Sequence, residues 1–421
     1  MSFQQGLSGL NAAAKGLDVI GNNIANTNTA GFKASGAQFA DVYASSLSGT
    51  GASAIGIGTK LAAVVQQFSQ GNLTTTNNPL DIAINGGGFF RLSDNGATTY
   101  TRNGQFQLDK DGYVVNSGGF RVTGYQADAN GNIVASAPLE IQISASDLTP
   151  NPTGAVTALL NIDARSAQPT TAVFSPADPT SFNSSTSLSI YDSLGNPHVL
   201  SYYFVKTAAP NQWEMYATVD GTAVTNVDLG GGAGAPATVS FNTAGQLTSA
   251  MPLNASVDLA QVATDLGLVN GATTPLNFTV DLRGTTQFGS AFGVNSLTQD
   301  GYTAGRLAGL AVSETGVISG RYTNGQSRNL AQLVLANFTN PQGLKPLGNN
   351  QWTETADSGP APIGAPGSGS LGLLNPAAVE DSNVDLTAEL VNMITMQRAY
   401  QANAQTIKTQ DSLLQTIVNL R

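Results

Sequence analysis

Residues 3–24 read FQQGLSGLNAAAKGLDVIGNNI, and the apolar positions in this stretch recur at alternating steps of four and three residues. These positions are Phe3, Leu7, Leu10, Ala14, Leu17, Gly21 and Ile24. Such spacing is typical of the seam of a left-handed supercoil. Taken alone, it is more often the apolar face of an amphipathic helix that covers the core of its own domain. The other end of the chain decides between these two interpretations.

The C-terminal segment carries a second heptad pattern that starts at Leu386. One heptad position is occupied by Leu386, Met393, Tyr400, Ile407 and Leu414, and the companion position by Leu390, Gln397, Ala404, Asp411 and Val418. A helix over this range is about 50 Å long at 1.5 Å per residue, which exceeds most globular helices. Asp385 and Asn383 are the candidates for its N-cap.

Two polar residues, Gln397 and Asp411, interrupt this second seam. Buried polar groups at such positions are costly but fix register and partner number, and the alternative is that both residues face a wet channel. Neither terminal helix has an apolar partner nearby in sequence, and an isolated amphipathic helix is marginal in water. We therefore predict that residues 1–28 and 384–421 form a helical assembly domain whose folding is coupled to association.

Between the two helices the sequence changes to short β-type runs punctuated by turn residues. The predicted fold class is α+β, mainly β, with nested β-domains of meander or barrel-like type. Residues 71–149 and 285–358 are predicted to form one discontinuous β-rich body, and residues 150–284 an inserted outer β-domain. The predicted linkers are residues 29–70 and 359–383, which include the Gly-, Ser- and Pro-rich stretches 44–58 and 358–370.

Composition excludes several classes of partner. Charged residues make up 10% of the 421 residues and the formal net charge is −10, so counterion release does not favour nucleic acid and anionic lipid repels the chain. No stretch of 18 apolar residues predicts a membrane span, and the N-terminus lacks the basic and apolar regions of a cleaved signal peptide. Because cysteine is absent, disulfides and thiolate sites are excluded.

The sequence offers no positive sign of catalysis, a cofactor or a metal site. The single histidine, His198, is interpreted as a turn residue. The glycine-rich segment 84–89 lacks the Gly-Lys-Ser/Thr ending of a phosphate loop. Segments 109–112 and 128–132 resemble fragments of calcium loops, but they lack the full ligand pattern and are interpreted as hairpin turns. We therefore expect a protein that is not an enzyme.

The terminal motifs resemble those of a known family. The N-terminal stretch SGLNA at 8–12, continuing as LDVIGNNIANTNTAGFK at 17–33, is similar to the N-terminal motif of bacterial flagellar rod and hook proteins. The stretches EDSNVDL at 380–386 and QRAYQANAQTIKT at 397–409 resemble the C-terminal motif of the same family. Segments 191–206 and 336–352, together with the inserted domain, resemble the hook branch.

This resemblance implies a structural subunit that polymerises into a curved hollow helical tube, the universal joint that transmits torque from rod to filament. The implied partners are further copies of the chain, the distal rod protein, the hook cap, the hook–filament junction protein and the type III export apparatus. The implied location is the hook and basal body at the extracellular surface, reached by flagellar type III export. A distal rod or other axial protein is the first alternative, because residues 44–58 are longer than a hook linker is expected to be. A secreted β-rich adhesin or hydrolase is a distant one.

Overall fold

A computed structural model describes residues 2–42, 56–128, 130–144, 146–269 and 271–419. Most of the stretch 44–58 lies outside these residues. The chain forms two compact units, of which the second comprises Ser146–Leu307 and Tyr322–Gln326 and the first comprises the rest. The prediction of a mainly β fold with a helix at each end is confirmed. The helices are α1 (Ser2–Ala25), α2 (Leu259–Asp265) and α3 (Leu386–Asn419).

The first two strands of the chain form a hairpin within residues 29–70, the range predicted to be a linker. The strands before the second unit are β1 (Ser35–Val42), β2 (Gly58–Gln66), β3 (Leu73–Thr75), β4 (Ile82–Asn85), β5 (Phe89–Asp94), β6 (Ala97–Thr101), β7 (Phe106–Leu108), β8 (Val114–Asn116), β9 (Arg121–Gln126) and β10 (Leu139–Glu140). β1 and β2 pair antiparallel only with each other, and such a two-stranded ribbon is marginal unless another element packs on it.

The described residues of the second unit form ten strands. They are β11 (Ala155–Asp163), β12 (Ser184–Tyr191), β13 (Pro197–Lys206), β14 (Gln212–Val219), β15 (Val227–Asp228), β16 (Ala237–Ser240), β17 (Leu253–Val257), β18 (Leu276–Asp281), β19 (Thr286–Phe288) and β20 (Gly293–Gln299). β12, β13, β14 and β16 form an antiparallel sheet, and the other six form a mixed sheet centred on β11. Alternate residues of both sheets share one core, which includes Tyr202, Trp213, Leu160 and Phe278.

The remaining strands complete the first unit. They are β21 (Leu307–Val312), β22 (Val317–Tyr322), β23 (Ser327–Leu333), β24 (Leu335–Ala336), β25 (Lys345–Gly348), β26 (Gln351–Thr353), β27 (Ile363–Gly364), β28 (Leu373–Pro376) and β29 (Ala378–Glu380). The main sheet has the order β21-β22-β23-β9-β5-β6-β26-β25. β28 pairs with β4 and β29 with β3, so the chain returns beside its own start before α3 begins.

One turn recurs through both units. The side-chain oxygen of an Asp or Asn accepts hydrogen bonds from the backbone N–H groups two and four residues later, and a glycine with positive φ stands between them. The first residues of these turns are Asp109, Asn116, Asp128, Asp192 and Asn242. The two segments that resemble calcium loops are among them, and their side-chain oxygens are occupied by backbone donors.

Candidate assembly interface

The two terminal helices pack against each other in antiparallel register. A Cβ placed on Gly6 lies 3.1 Å from Ile407, and one on Gly9 lies 2.7 Å from the side chain of Asn403. At the other end of the pair the side chains of Asn23 and Glu389 are joined by a hydrogen bond. Residues later in α1 contact residues earlier in α3, so the two helices run antiparallel.

Small residues form the face of α1 that meets α3. Among the described side chains of α1, those of Gly6, Ala13, Gly16, Ile20 and Asn23 are buried, at steps of seven, three, four and three residues. A Cβ on Gly16 lies 3.3 Å from the Met396 sulfur. Small side chains at such steps let two helix backbones approach closely, which is why this face rather than the apolar stripe makes the contact within the subunit.

The predicted α1 stripe lies one residue further along the helix, which corresponds to a rotation of about 100°. Phe3 and Leu7 are 48% and 44% exposed, and Leu10, Leu17 and Ile24 are half-buried. The stripe is therefore left beside the helix pair rather than inside it.

The predicted α3 positions are also mostly outside the pair. Of these positions, Leu386, Leu390, Tyr400 and Leu414 are exposed, and Met393 and Ile407 are half-buried. The Val418 side chain lies outside the described residues. The interrupting polar residues Gln397 and Asp411 are both exposed in the subunit. Large exposed apolar residues grouped on one element mark an interaction surface.

α3 begins at a side-chain cap. The carboxylate of Asp385 accepts hydrogen bonds from the backbone N–H groups of Thr387 and Ala388 at 2.9 and 3.1 Å. Asn383, the other candidate, has a different role. Its carbonyl oxygen accepts from Ala34 N–H at 2.7 Å and its amide donates to the carbonyl of Gln67 at 2.8 Å. The two residues thus start the helix and fix its base to the hairpin.

Asn23 ties three elements together at the same end. Its amide donates to the Ser35 carbonyl at 2.8 Å and to Glu389 Oε1 at 3.1 Å, and its oxygen accepts from Ser35 N–H at 2.9 Å. Further along, Gln5 Nε2 donates to the Gly56 carbonyl at 2.6 Å. α1 is therefore held by α3 on one side and by the β1–β2 hairpin on another.

A buried ion cluster lies close to the bases of both terminal helices. It joins Lys33, which follows α1, to Glu380, which precedes α3, and to Arg102 after β6. Lys33 Nζ lies 2.6 Å from Glu380 Oε1, and Arg102 Nη1 lies 3.4 Å from Glu380 Oε2. Lys33 and Glu380 are fully buried and Arg102 nearly so. Burial lowers the pKa of Lys33, and the Glu380 carboxylate opposes that shift. Burial also lowers the pKa of Arg102. One carboxylate thus serves two desolvated cations.

Gly31 is required where the motif approaches this cluster. Its φ is +71°, and a Cβ there lies 2.6 Å from the backbone nitrogen of Asn103. Its N–H donates to the Glu380 carbonyl at 2.7 Å. The cluster and the small α1 face are features that the sequence reasoning missed. Their signals were present, because Gly31, Lys33 and Glu380 stand in the two terminal motifs and the glycines of α1 recur at helical steps.

The described part of the chain holds no group of three metal-ligating side chains and no helix long and apolar enough to cross a membrane. His198 Nδ1 lies 2.7 Å from Asp220 and Nε2 lies 3.5 Å from Asp192, so the imidazole is bound to side chains of its own unit. This is the arrangement of a structurally satisfied histidine.

Four family profiles match successive parts of the chain. Residues 3–33 match "Flagella basal body rod protein" and residues 83–158 match "Flagellar hook protein FlgE/F/G D1 domain". Residues 161–302 match "Flagellar basal body protein FlaE D2 domain" and residues 376–420 match "Flagellar basal body rod FlgEFG protein C-terminal". The third match falls within the second unit.

Full-length relatives agree with these profiles. The chain is 42% identical to the flagellar hook protein FlgE of Escherichia coli K12 over 425 residues, with 100% of both chains covered. It is 41% identical to the Salmonella typhimurium LT2 protein of the same name and 33% identical to that of Borreliella burgdorferi, again over 100% of this chain and 100% and 99% of theirs. The crystal structure of Helicobacter pylori flagellar hook protein FlgE2 superposes with a TM-score of 0.51 at 16% identity, covering 73% of this chain and 100% of that one.

Proposed function

The chain belongs to the flagellar hook protein family and is a structural subunit of the hook, and we propose that it polymerises through the outer faces of its paired terminal helices. The observation that carries this proposal is the position of the apolar stripe. Phe3, Leu7, Leu386, Leu390 and Leu414 remain exposed after the two helices have packed on each other. When other subunits cover these side chains, each Å² of apolar surface removed from water stabilises the polymer by about 25 cal/mol.

The proposal extends to the layers of the polymer. The helical segments 1–28 and 384–421 form an inner tube, and the β-rich remainder of the first unit and the second unit form outer layers. Contacts between unlike faces that do not close on themselves generate a helical filament. A core that holds while weak polar outer contacts exchange gives a curved tube that bends as a universal joint.

The remaining partners follow from the place of the hook between rod and filament. We propose contacts with the distal rod protein at one end, with the hook cap during growth and with the hook–filament junction protein at the other end. The proposed route to the surface is flagellar type III export without a cleaved signal peptide. The proposal includes no catalytic role, no nucleic acid and no insertion into a membrane.

Electron microscopy of the purified chain after salting-out tests the central claim. The intact chain is expected to form tubes, and variants lacking residues 1–28 or 384–421 are expected to form none. Tubes from either truncated chain would show that the terminal helices are not the assembly elements.

Point variants sharpen the test. Leu7→Asp and Leu390→Asp place a charge on exposed positions, so polymerisation should fail while the far-UV circular dichroism of the monomer stays unchanged. Val173→Asp is the matched control, because Val173 is 77% exposed in the second unit and lies outside the proposed seams. Ile407→Asp tests the helix pair itself, since Ile407 faces Gly6. Equal assembly by all these variants would contradict the proposal.

A further inference from the structure

An open cleft lies where the helix pair meets the β1–β2 hairpin. Its volume is about 470 Å³. Its apolar lining comes from all three elements and includes Val19, Ile20, Phe39, Ala388 and Met396. The carboxylates of Asp385 and Glu389 belong to the same lining. The lining is about as polar as it is apolar, and a cleft of this size accommodates several large side chains.

The opposite end of α3 has the complementary shape. Gly6 faces Ile407, and in an antiparallel pair each step back along α1 is matched by one step forward along α3. The first residue of α1 therefore lies opposite about residue 410. α3 continues to Asn419, and residues 411–416 are all exposed. This overhang carries Leu413 and Leu414, which are 51% and 56% exposed. A helical end of about nine residues is marginal without a packing partner.

We propose that the α3 overhang of one subunit, residues 411–419, docks into this cleft of a second copy, with Leu413 and Leu414 as the apolar anchors. The inference rests on the proposed function, since it names the surface that one subunit offers to the next. Cleft and overhang match in length: α3 spans about 16 Å from Asp385 to Met396, and the overhang is about 13 Å long.

The occupant must come from another molecule. Within one chain, Met396 and Asp411 are separated by fifteen residues of continuous helix, or about 22 Å, so the overhang never reaches its own cleft. A tip-to-base contact joins unlike faces, and such a contact builds a filament where the rotation between copies does not close into a ring.

A cysteine cross-link tests the contact directly, because the chain has no cysteine of its own. Tubes are assembled from full-length Leu414→Cys/Phe39→Cys protein, oxidised mildly and run on a non-reducing gel. A ladder of dimers, trimers and longer species is expected, since each subunit carries one tip and one cleft. The single variants Leu414→Cys and Phe39→Cys should remain monomeric on the gel, as should the control pair Leu414→Cys/Val173→Cys.

The outcomes distinguish a failure of the docking contact from a failure of the proposed function. Tubes that form without a ladder, or with an equal ladder in the control pair, overturn the docking contact and leave polymerisation intact. An intact chain that forms no tubes overturns the proposed function instead. As a second measurement, Ala388→Trp fills the cleft and should raise the subunit concentration needed for tubes at least tenfold. Ala172→Trp, exposed in the second unit, should leave that concentration unchanged, and an equal effect of both contradicts the inference.

Discussion

Removing the carboxylate of Glu380 should destabilise the first unit far more than a typical substitution does. Glu380 Oε1 accepts hydrogen bonds from Lys33 Nζ at 2.6 Å and from Gly71 N–H at 2.9 Å, and Oε2 lies 3.4 Å from Arg102 Nη1. In Glu380→Ala both cations stay buried without a counterion. Breaking a buried ion pair by removing one partner costs about 3–5 kcal/mol. With a urea slope of about 3 kcal/mol per molar, the midpoint falls by about 1–2 M.

Each unit carries its own fluorescent reporter for this measurement. Trp352 lies in the core of the first unit and Trp213 in that of the second, so Trp→Phe backgrounds isolate the two signals. Glu380→Ala should lower the urea midpoint reported by Trp352 and leave that reported by Trp213 unchanged. Arg283→Ala is the control, because the Arg283–Asp281 pair is exposed at the guanidinium, and no shift is expected. If the urea midpoint reported by Trp352 were unchanged in Glu380→Ala, the Lys33–Arg102–Glu380 cluster would not stabilise the first unit as argued.

Three further predictions concern single groups. In the folded chain burial raises the pKa of Tyr100 to about 12, whereas an unfolded tyrosine releases its proton near pH 10. The first unit should therefore lose stability between pH 10 and 12, and urea midpoints of Tyr100→Phe should fall less steeply over that window. Gly21→Ala should stabilise α1 by about 1 kcal/mol, because a Cβ at Gly21 meets nothing within 4 Å. Gly9→Ala should give no such gain, because its Cβ meets an α3 side chain at 2.7 Å. Amide hydrogen exchange of α1 in monomers distinguishes the two variants. Gly31→Ala should lower the Trp352-reported stability by at least 2 kcal/mol, about the cost of a strained positive φ, and an unchanged midpoint would contradict the backbone clash.

The sequence determined the class of fold and the existence of both terminal helices. Heptad spacing from Leu386 and the stripe from Phe3 are local patterns, and local patterns specify helices without reference to the rest of the chain. The recurring Asp/Asn-x-x-Gly turns are equally local, because donor, acceptor and positive-φ glycine lie within five residues. Asp385 was one of two candidates for the α3 cap and is the residue that caps it.

Only the tertiary structure decided which face of each helix is used inside the subunit. Periodicity selects large apolar residues, yet close approach of two backbones depends on small ones. The face with Gly6, Gly9 and Gly16 therefore pairs with α3, and the apolar stripe beside it stays only partly buried. The Lys33–Glu380 contact joins residues that are 347 positions apart. No local pattern specifies such a pair, because it exists only where the two ends of the chain are brought together by β3, β29 and the helices.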